Sequence, residues 1–493
     1  MPRLPAPHYL DLQNGAFKET SPADLATLFQ ALPQSPHKNN LVIHFHGGLV
    51  NRESGHKSGL ILKESYEAAG AYPIFFIWNS GIKDTLWGNL QEISQEKIFR
   101  RLVRRVGQLV LGKMGEEAGQ RGGQLELMSL KELPADLEAL EQDLQNLEKT
   151  AGRPVDWELT TLQEKQVRVE LERDRVLNEE AQKIANGLRD ADEIDNAIKS
   201  RGGSAVRGST ETLMSPEILR ELADEGGEPG ERGITVFFTI VKHTISVVGR
   251  VLSRYRKGRD HGLYTTIVEE ILRALYIDNA GALVWKLIKK DTADAFGGDP
   301  RKHGGTAFVE QLRQAWHADL NLTLVGHSTG AIYIGHLLQH LDAVLPPEAR
   351  VNVVFLAAAS SFGFINDRLD VFRRRVRHFH NFGLSDERER TYWEFPGYRG
   401  SLLYLVSGIL EPDEVDMPLV GMERYWDASG PYDRPDIKNV MAMIADKERV
   451  WSLSEAGAGR ECDAKKHGDF DDNDEATRRS LTFLIGKEFG NAG

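Results

Sequence analysis

Apolar and polar positions along this chain follow two rhythms, and the change between them divides it into three parts. Leu41-Val-Ile-His-Phe and Tyr72-Pro-Ile-Phe-Phe-Ile-Trp are short, nearly continuous apolar runs rich in β-branched and aromatic residues. Such runs mark strands buried on both faces. Helical spacing over 59–69 separates them, and strand, helix, strand predicts a parallel α/β sheet. The same text resumes far downstream. An amphipathic helix at 304–316 leads into a strand at Leu322–Val325, followed by strands at Val351-Asn-Val-Val-Phe-Leu-Ala, Val376–Leu384 and Arg449-Val-Trp-Ser-Leu. A closing helix runs from about Glu475 to Phe489. Residues 1–40 read as a lead-in with one helix, from about Ser21 (an N-cap, with Asp24 three residues on) to Leu32.

From about Asp84 to about Arg301 the strand rhythm is missing. Leu133, Leu137, Leu140, Leu144 and Leu147 form a heptad stripe dense in acid, Gly152-Arg-Pro punctuates it, and Trp157 to about Leu188 reads as a second charged helix. Two such helices on a short loop predict an antiparallel hairpin, too short for a long coiled coil. Gly202-Gly-Ser and the stretch from Glu225 to Gly233 read as flexible connectors. Residues 234–290 are helical and more apolar. Three segments result: 1–83 and 302–493 as two parts of one core, and 84–301 as an inserted helical cap with the charged hairpin at about 130–190.

One turn in this pattern carries chemistry. The Leu322–Val325 strand meets Gly326-His-Ser-Thr-Gly, and helical spacing starts immediately afterwards. Strand, G-x-S-x-G and helix together predict a nucleophile elbow, in which a serine sits on a strained turn and side chains at 326 or 330 would crowd it. A serine hydroxyl needs a histidine to take its proton and an acid to orient that histidine. Strand ends downstream supply both: Asp386 follows Leu384, and His467 lies in the loop between the last strand and the closing helix. Asp367 and Asp370, after the preceding strand, are rivals for the acid. The carboxyl ends of parallel strands share one rim, so these groups are expected to meet there.

Composition narrows the reading. The 493-residue chain is 41 % hydrophobic and 27 % charged, an ordinary globular balance, and its net charge of −12 argues against a nucleic-acid binder. A single cysteine, Cys462, excludes an intramolecular disulfide, and no apolar leader opens the chain, so a cytoplasmic location is expected. No run reaches about 18 uninterrupted apolar residues. The nearest, Ile234–Val248, is followed by Arg250, Arg254, Arg256, Lys257 and Arg259. The favoured reading is a half-buried helix with a solvated end; the alternative is peripheral membrane contact through 234–260. No P-loop or dinucleotide fingerprint occurs, so no cofactor is inferred. His44 and His46 lack a matching third metal ligand and are read as sheet packing. The acid-rich stretch Asp469–Asp474 is read as a cap of the closing helix. Tyr392, Trp393, Phe395, Tyr398 and Tyr404 fit an acyl pocket or a core equally well.

With the elbow, His46-Gly-Gly after the first strand, Asp386 and His467, the chain resembles the α/β-hydrolase superfamily of the lipase and esterase kind over residues 35–82 and 302–490. The resemblance implies Ser328 as nucleophile, His467 as general base and then acid, and Asp386 as orienting carboxylate. It further implies an oxyanion hole from the amide of Thr329 with that of Gly48 or Gly47, and a small-molecule or lipid-like ester substrate. Residues 234–290 are the candidate lid. The hairpin at 130–190 is a candidate surface for a protein partner or self-association, in which case the chain would be an interaction or effector protein. Amide cleavage on the same machinery is a further alternative.

Overall fold

Six of the eight strands in the central sheet of this computed structural model are the apolar runs named above. The structure describes residues 3–48, 50–78, 83–117, 137–151, 161–188, 212–224, 232–276, 278–391, 394–395, 397–471 and 473–490. Leu49, Leu133, Gly152-Arg-Pro, Trp157, Gly202-Gly-Ser, the connector from Glu225 through Glu231, Tyr392 and Trp393 lie outside the described residues.

The strands are β1 (Tyr9–Gln13), β2 (Ala16–Phe17), β3 (Asn40–Phe45), β4 (Tyr72–Trp78), β5 (Asn321–His327), β6 (Val351–Leu356), β7 (Val376–Leu384) and β8 (Arg449–Ser452), ordered β2-β1-β4-β3-β5-β6-β7-β8. All pairings are parallel except β1 with β2. The fold is therefore mixed α/β with a mostly parallel sheet. Every residue of β4 and β6 is buried, which explains why these strands read as unbroken apolar text. Register matters for the site: Phe45 pairs with Gly326, and His327 with Leu356, so β3, β5 and β6 end on one edge.

The lead-in helix forms as expected, Pro22–Ala31, with a capping box between Ser21 and Asp24. The lead-in also holds β1, which its sequence hides. Its centre is Asp11, buried and paired with Arg52 at 2.5 Å. A charged residue inside a strand becomes tolerable only when a distant partner compensates it.

Among the described residues no strand lies between Trp78 and Asn321, as the sequence implies. The expected hairpin does not form as drawn. Helix Leu137–Ala151 seats the buried Leu140 and Leu144 on helix Lys97–Glu117, where a Cβ on Gly107 would stand 2.8 Å from Leu140. The second charged segment is two helices, Thr161–Glu172 and Arg175–Gly187, and both lie chiefly on helix Arg232–Arg256. Asp174 breaks it: its carboxylate caps the Leu177 amide and takes Arg101 in a bidentate pair, with Arg105 alongside. Leu137, Leu140 and Leu144 of the stripe are core, not a seam between the two charged helices.

Helix Arg232–Arg256 is long and apolar enough to cross a membrane on length and composition alone, but half of its apolar window is buried inside the protein. Its end is fastened by Arg254, which meets Glu269 at 2.7 Å and Glu270 at 3.0 Å. Of the candidate lid, helix Asp278–Asp294 reaches the His46-Gly47-Gly48 loop: its Ile288 would lie 2.8 Å from a Cβ at Gly48.

Candidate active site

The elbow is built as its glycines require. β5 ends at His327, helix Gly330–Val344 begins three residues later, and Ser328 between them holds φ at 55°. A non-glycine residue there costs on the order of 1–3 kcal/mol and persists only when its surroundings enforce it. They do: a Cβ on Gly330 would stand 2.3 Å from the Phe45 carbonyl oxygen, and one on Gly326 would stand 2.7 Å from the Gly330 backbone. Leu356 accepts the Ser328 amide at 2.8 Å, and Ser328 accepts the Ala359 amide at 3.0 Å, so neighbouring β6 locks the turn. Among the described residues the Ser328 hydroxyl has no hydrogen-bond partner.

The loop after β3 comes to the same place. A Cβ on Gly47 would lie 3.2 Å from Ser328 Cβ. His46 shapes this loop. Its Nε2 accepts the Trp78 amide at 3.1 Å, so its Nδ1 carries the proton and donates to the Gly47 carbonyl at 2.8 Å. Gly48 donates its amide to Thr329 Oγ1. Among the described residues no acceptor meets the amides of Gly47 or Thr329. These two amides are therefore the available donors for an oxyanion, while Gly48 serves only if the Thr329 side chain turns away.

His467 is buried and its ring lies 4.9 Å from that of His327, the residue before the serine. The His467 carbonyl accepts from His327 Nε2 at 3.0 Å, and its amide donates to Glu394 at 2.6 Å. Burial, working against that amide and the Leu402 amide, pushes the Glu394 carboxyl above its ordinary range. Asp471, 3 % exposed, sits between His327 Nδ1 at 2.7 Å and His44 Nε2 at 3.3 Å. The first contact is a well-formed hydrogen bond; the second is an ion-pair distance with poor alignment, since His44 Nε2 finds no hydrogen bond. With acceptors at both ring nitrogens, His327 donates from both. Burial pushes the Asp471 carboxyl up, yet His327 and His44 outweigh it and hold the group well below the usual carboxylate range.

The structure thus gathers Ser328, Thr329, Gly47 and Gly48 on one edge of the sheet. It places His467 beside His327, but no hydrogen bond joins the His467 ring to Ser328. It does not bring Asp386 to His467. The Asp386 carboxylate accepts from Tyr404 at 2.6 Å and pairs with Arg390 at 2.8 Å. Burial opposes its ionisation, and Arg390, Arg424 and the Tyr404 hydroxyl prevail, leaving its pKa below the ordinary value. The rivals Asp367 and Asp370 are exposed. Tyr398 and Tyr404 are fully buried, with hydroxyls committed to Glu269 and Asp386, so they belong to a buried polar network and not to an acyl pocket. Phe395 is buried against Trp87. Asp474 caps the closing helix as expected, accepting the Ala476 and Thr477 amides.

Sequence reasoning missed Glu394, Asp471 and the bridging role of His327. The one available signal was that Asp471 follows Phe470, an apolar residue inside an acidic stretch, which points part of that loop inward.

Burial pushes His46 and, on helix Gly330–Val344, His336 down to about 4. Between that value and the ordinary 6.5 the unfolded chain binds more protons than the folded one, so stability falls as pH falls. Each histidine adds up to about 1.4 kcal/mol per pH unit to this slope. Urea unfolding midpoints are expected to drop steadily from pH 6.5 to 4.5, and His336→Asn should flatten the slope. A flat profile over that window would contradict the burial argument.

Compared with known protein-family models, curated proteins and solved structures, the chain finds no match to any of them.

Proposed function

We propose that this protein is a cofactor-free serine hydrolase of the α/β-hydrolase kind, cleaving a carboxylic ester through an acyl-enzyme on Ser328. The observation that carries the reading is Ser328 at φ 55° between a buried strand and a helix N-terminus, beside the Gly47-Gly48 loop. Strain of that kind exposes a hydroxyl at the end of a sheet, and such a turn has little purpose in ordinary packing. Ser328 Oγ attacks the ester carbonyl, His467 takes its proton and later returns it to the leaving alcohol, and water repeats the sequence on the acyl-enzyme. The amides of Thr329 and Gly47 face the developing oxyanion, each supplying on the order of 3–4 kcal/mol. The proposed chemistry requires the Ser328–His467 hydrogen bond to form on substrate binding; catalytic hydrogen bonds are often long or misaligned before it. The reading as an interaction protein is weaker, because the charged helices meant to form a docking arm are spent on the body of the fold.

A fluorophosphonate probe tests the chemistry: wild type should be labelled on Ser328, and a protein labelled elsewhere or not at all would not be this hydrolase. Asp386→Asn addresses the acid. With Asp386 engaged by Tyr404 and Arg390, its loss should lower kcat less than about tenfold, and Glu394→Gln should cost more, because Glu394 holds the His467 backbone. A loss near 10⁴-fold for Asp386→Asn, the size seen when a triad acid is neutralised, would instead give Asp386 the orienting role.

A further inference from the structure

Away from the elbow, near the far edge of the sheet, three side chains able to ligate a metal converge, one of them a buried histidine with no hydrogen bond; Glu448 Oε2 also accepts the Ala445 amide at 3.3 Å. His380, in β7, is fully buried, and neither ring nitrogen finds a hydrogen bond. Leaving a buried polar group unpaired costs about 1–3 kcal/mol, so such a group calls for a partner. Facing it are Glu448, in the turn before β8, and Glu488, at the end of the closing helical segment, both half-buried.

We infer that His380, Glu448 and Glu488 form a binding site for a divalent first-row metal ion, which clips the C-terminal helix to the β7–β8 edge of the sheet. One ligand atom from each residue lies within 4.8 Å of the other two. His380 Nε2 stands 3.4 Å from Glu488 Oε1 without hydrogen-bond alignment. Two ligands about 2.1 Å from one tetrahedral ion are themselves about 3.4 Å apart, so this spacing suits a shared metal better than a direct bond. Two carboxylates balance a 2+ charge, and the imidazole-with-carboxylate set is one that zinc and its neighbours accept. His378, two residues earlier on the strand, stacks its ring on Phe489 and is not part of the group. Arg460 is 3.9 Å from Glu488 but gives its hydrogen bond to the Lys447 carbonyl, which leaves the carboxylate available.

The test is a zinc titration of the full chain after chelation and dialysis. About one equivalent of Zn²⁺ should bind, raise the thermal midpoint by several degrees, and, with Co²⁺ substituted, give the visible absorption of a low-coordinate nitrogen–oxygen site. Glu488→Gln, at a half-exposed position that should not disturb folding, is expected to weaken binding at least about tenfold and abolish the thermal shift, with ester hydrolysis unchanged. His380→Ala should do the same if it folds. Failure of wild type to bind Zn²⁺, or equal binding by wild type and Glu488→Gln, would overturn the assignment.

Discussion

Ser328→Ala is expected to lower kcat/KM on an activated ester by roughly 10⁴- to 10⁶-fold, because nothing else in the site can form the acyl bond, while oxyanion donors and substrate binding leave a small residue of rate. Stability should hardly change, since alanine meets the same strain at φ 55°. Ser328→Gly should also be inactive but more stable, by about 1 kcal/mol, because glycine adopts that conformation without cost. Ester kinetics together with urea unfolding separate the two effects. If the alanine variant kept more than about a tenth of wild-type activity, Ser328 would not be the nucleophile, whatever its backbone.

The second large effect is expected at a residue that takes no part in bond making. Asp471→Asn removes the carboxylate that holds His327 at 2.7 Å and faces His44 at 3.3 Å, all nearly buried. Removing one member of a buried ion pair strands the other, which typically costs 3–5 kcal/mol. A fall of about that size in unfolding free energy is expected, measured at neutral pH in urea. Activity should fall as well, because His327 bridges Asp471 to the His467 carbonyl and so sets where His467, the proposed general base, stands. A change under about 1 kcal/mol would show that the two histidines do not depend on Asp471.

The two predictions sit on opposite sides of what a reader of the sequence could see. Ser328 was legible because its requirements are local: an apolar run, two glycines at fixed offsets and a helical rhythm leave few other conformations. His467 was legible by position, as the histidine between the last strand and the closing helix. Asp386 was chosen by the same logic and was placed at the right strand end. What it bonds to, however, depends on Arg390, Arg424 and Tyr404, and their approach is not written in the spacing around it.

The helical insertion shows the same division. Its helices were readable from their 3.6-residue periodicity, but their partners were not. Leu140 and Leu144 fit the seam of a hairpin as well as they fit the surface around Gly107, and only packing chose. The break at Asp174 needed Arg101 and Arg105, some seventy residues earlier, to make a buried carboxylate tolerable.

By itself, then, the sequence determined the parallel sheet, the strained turn at Ser328 and the helical character of the interruption, because backbone preference and burial act over a few neighbouring residues. Tertiary structure alone decided which carboxylate meets which histidine or arginine, which helix reaches the His46-Gly47-Gly48 loop, and that His380 faces two glutamates. Those outcomes rest on charges and donors brought together from distant parts of the chain, where a pair is worth its desolvation only in one arrangement.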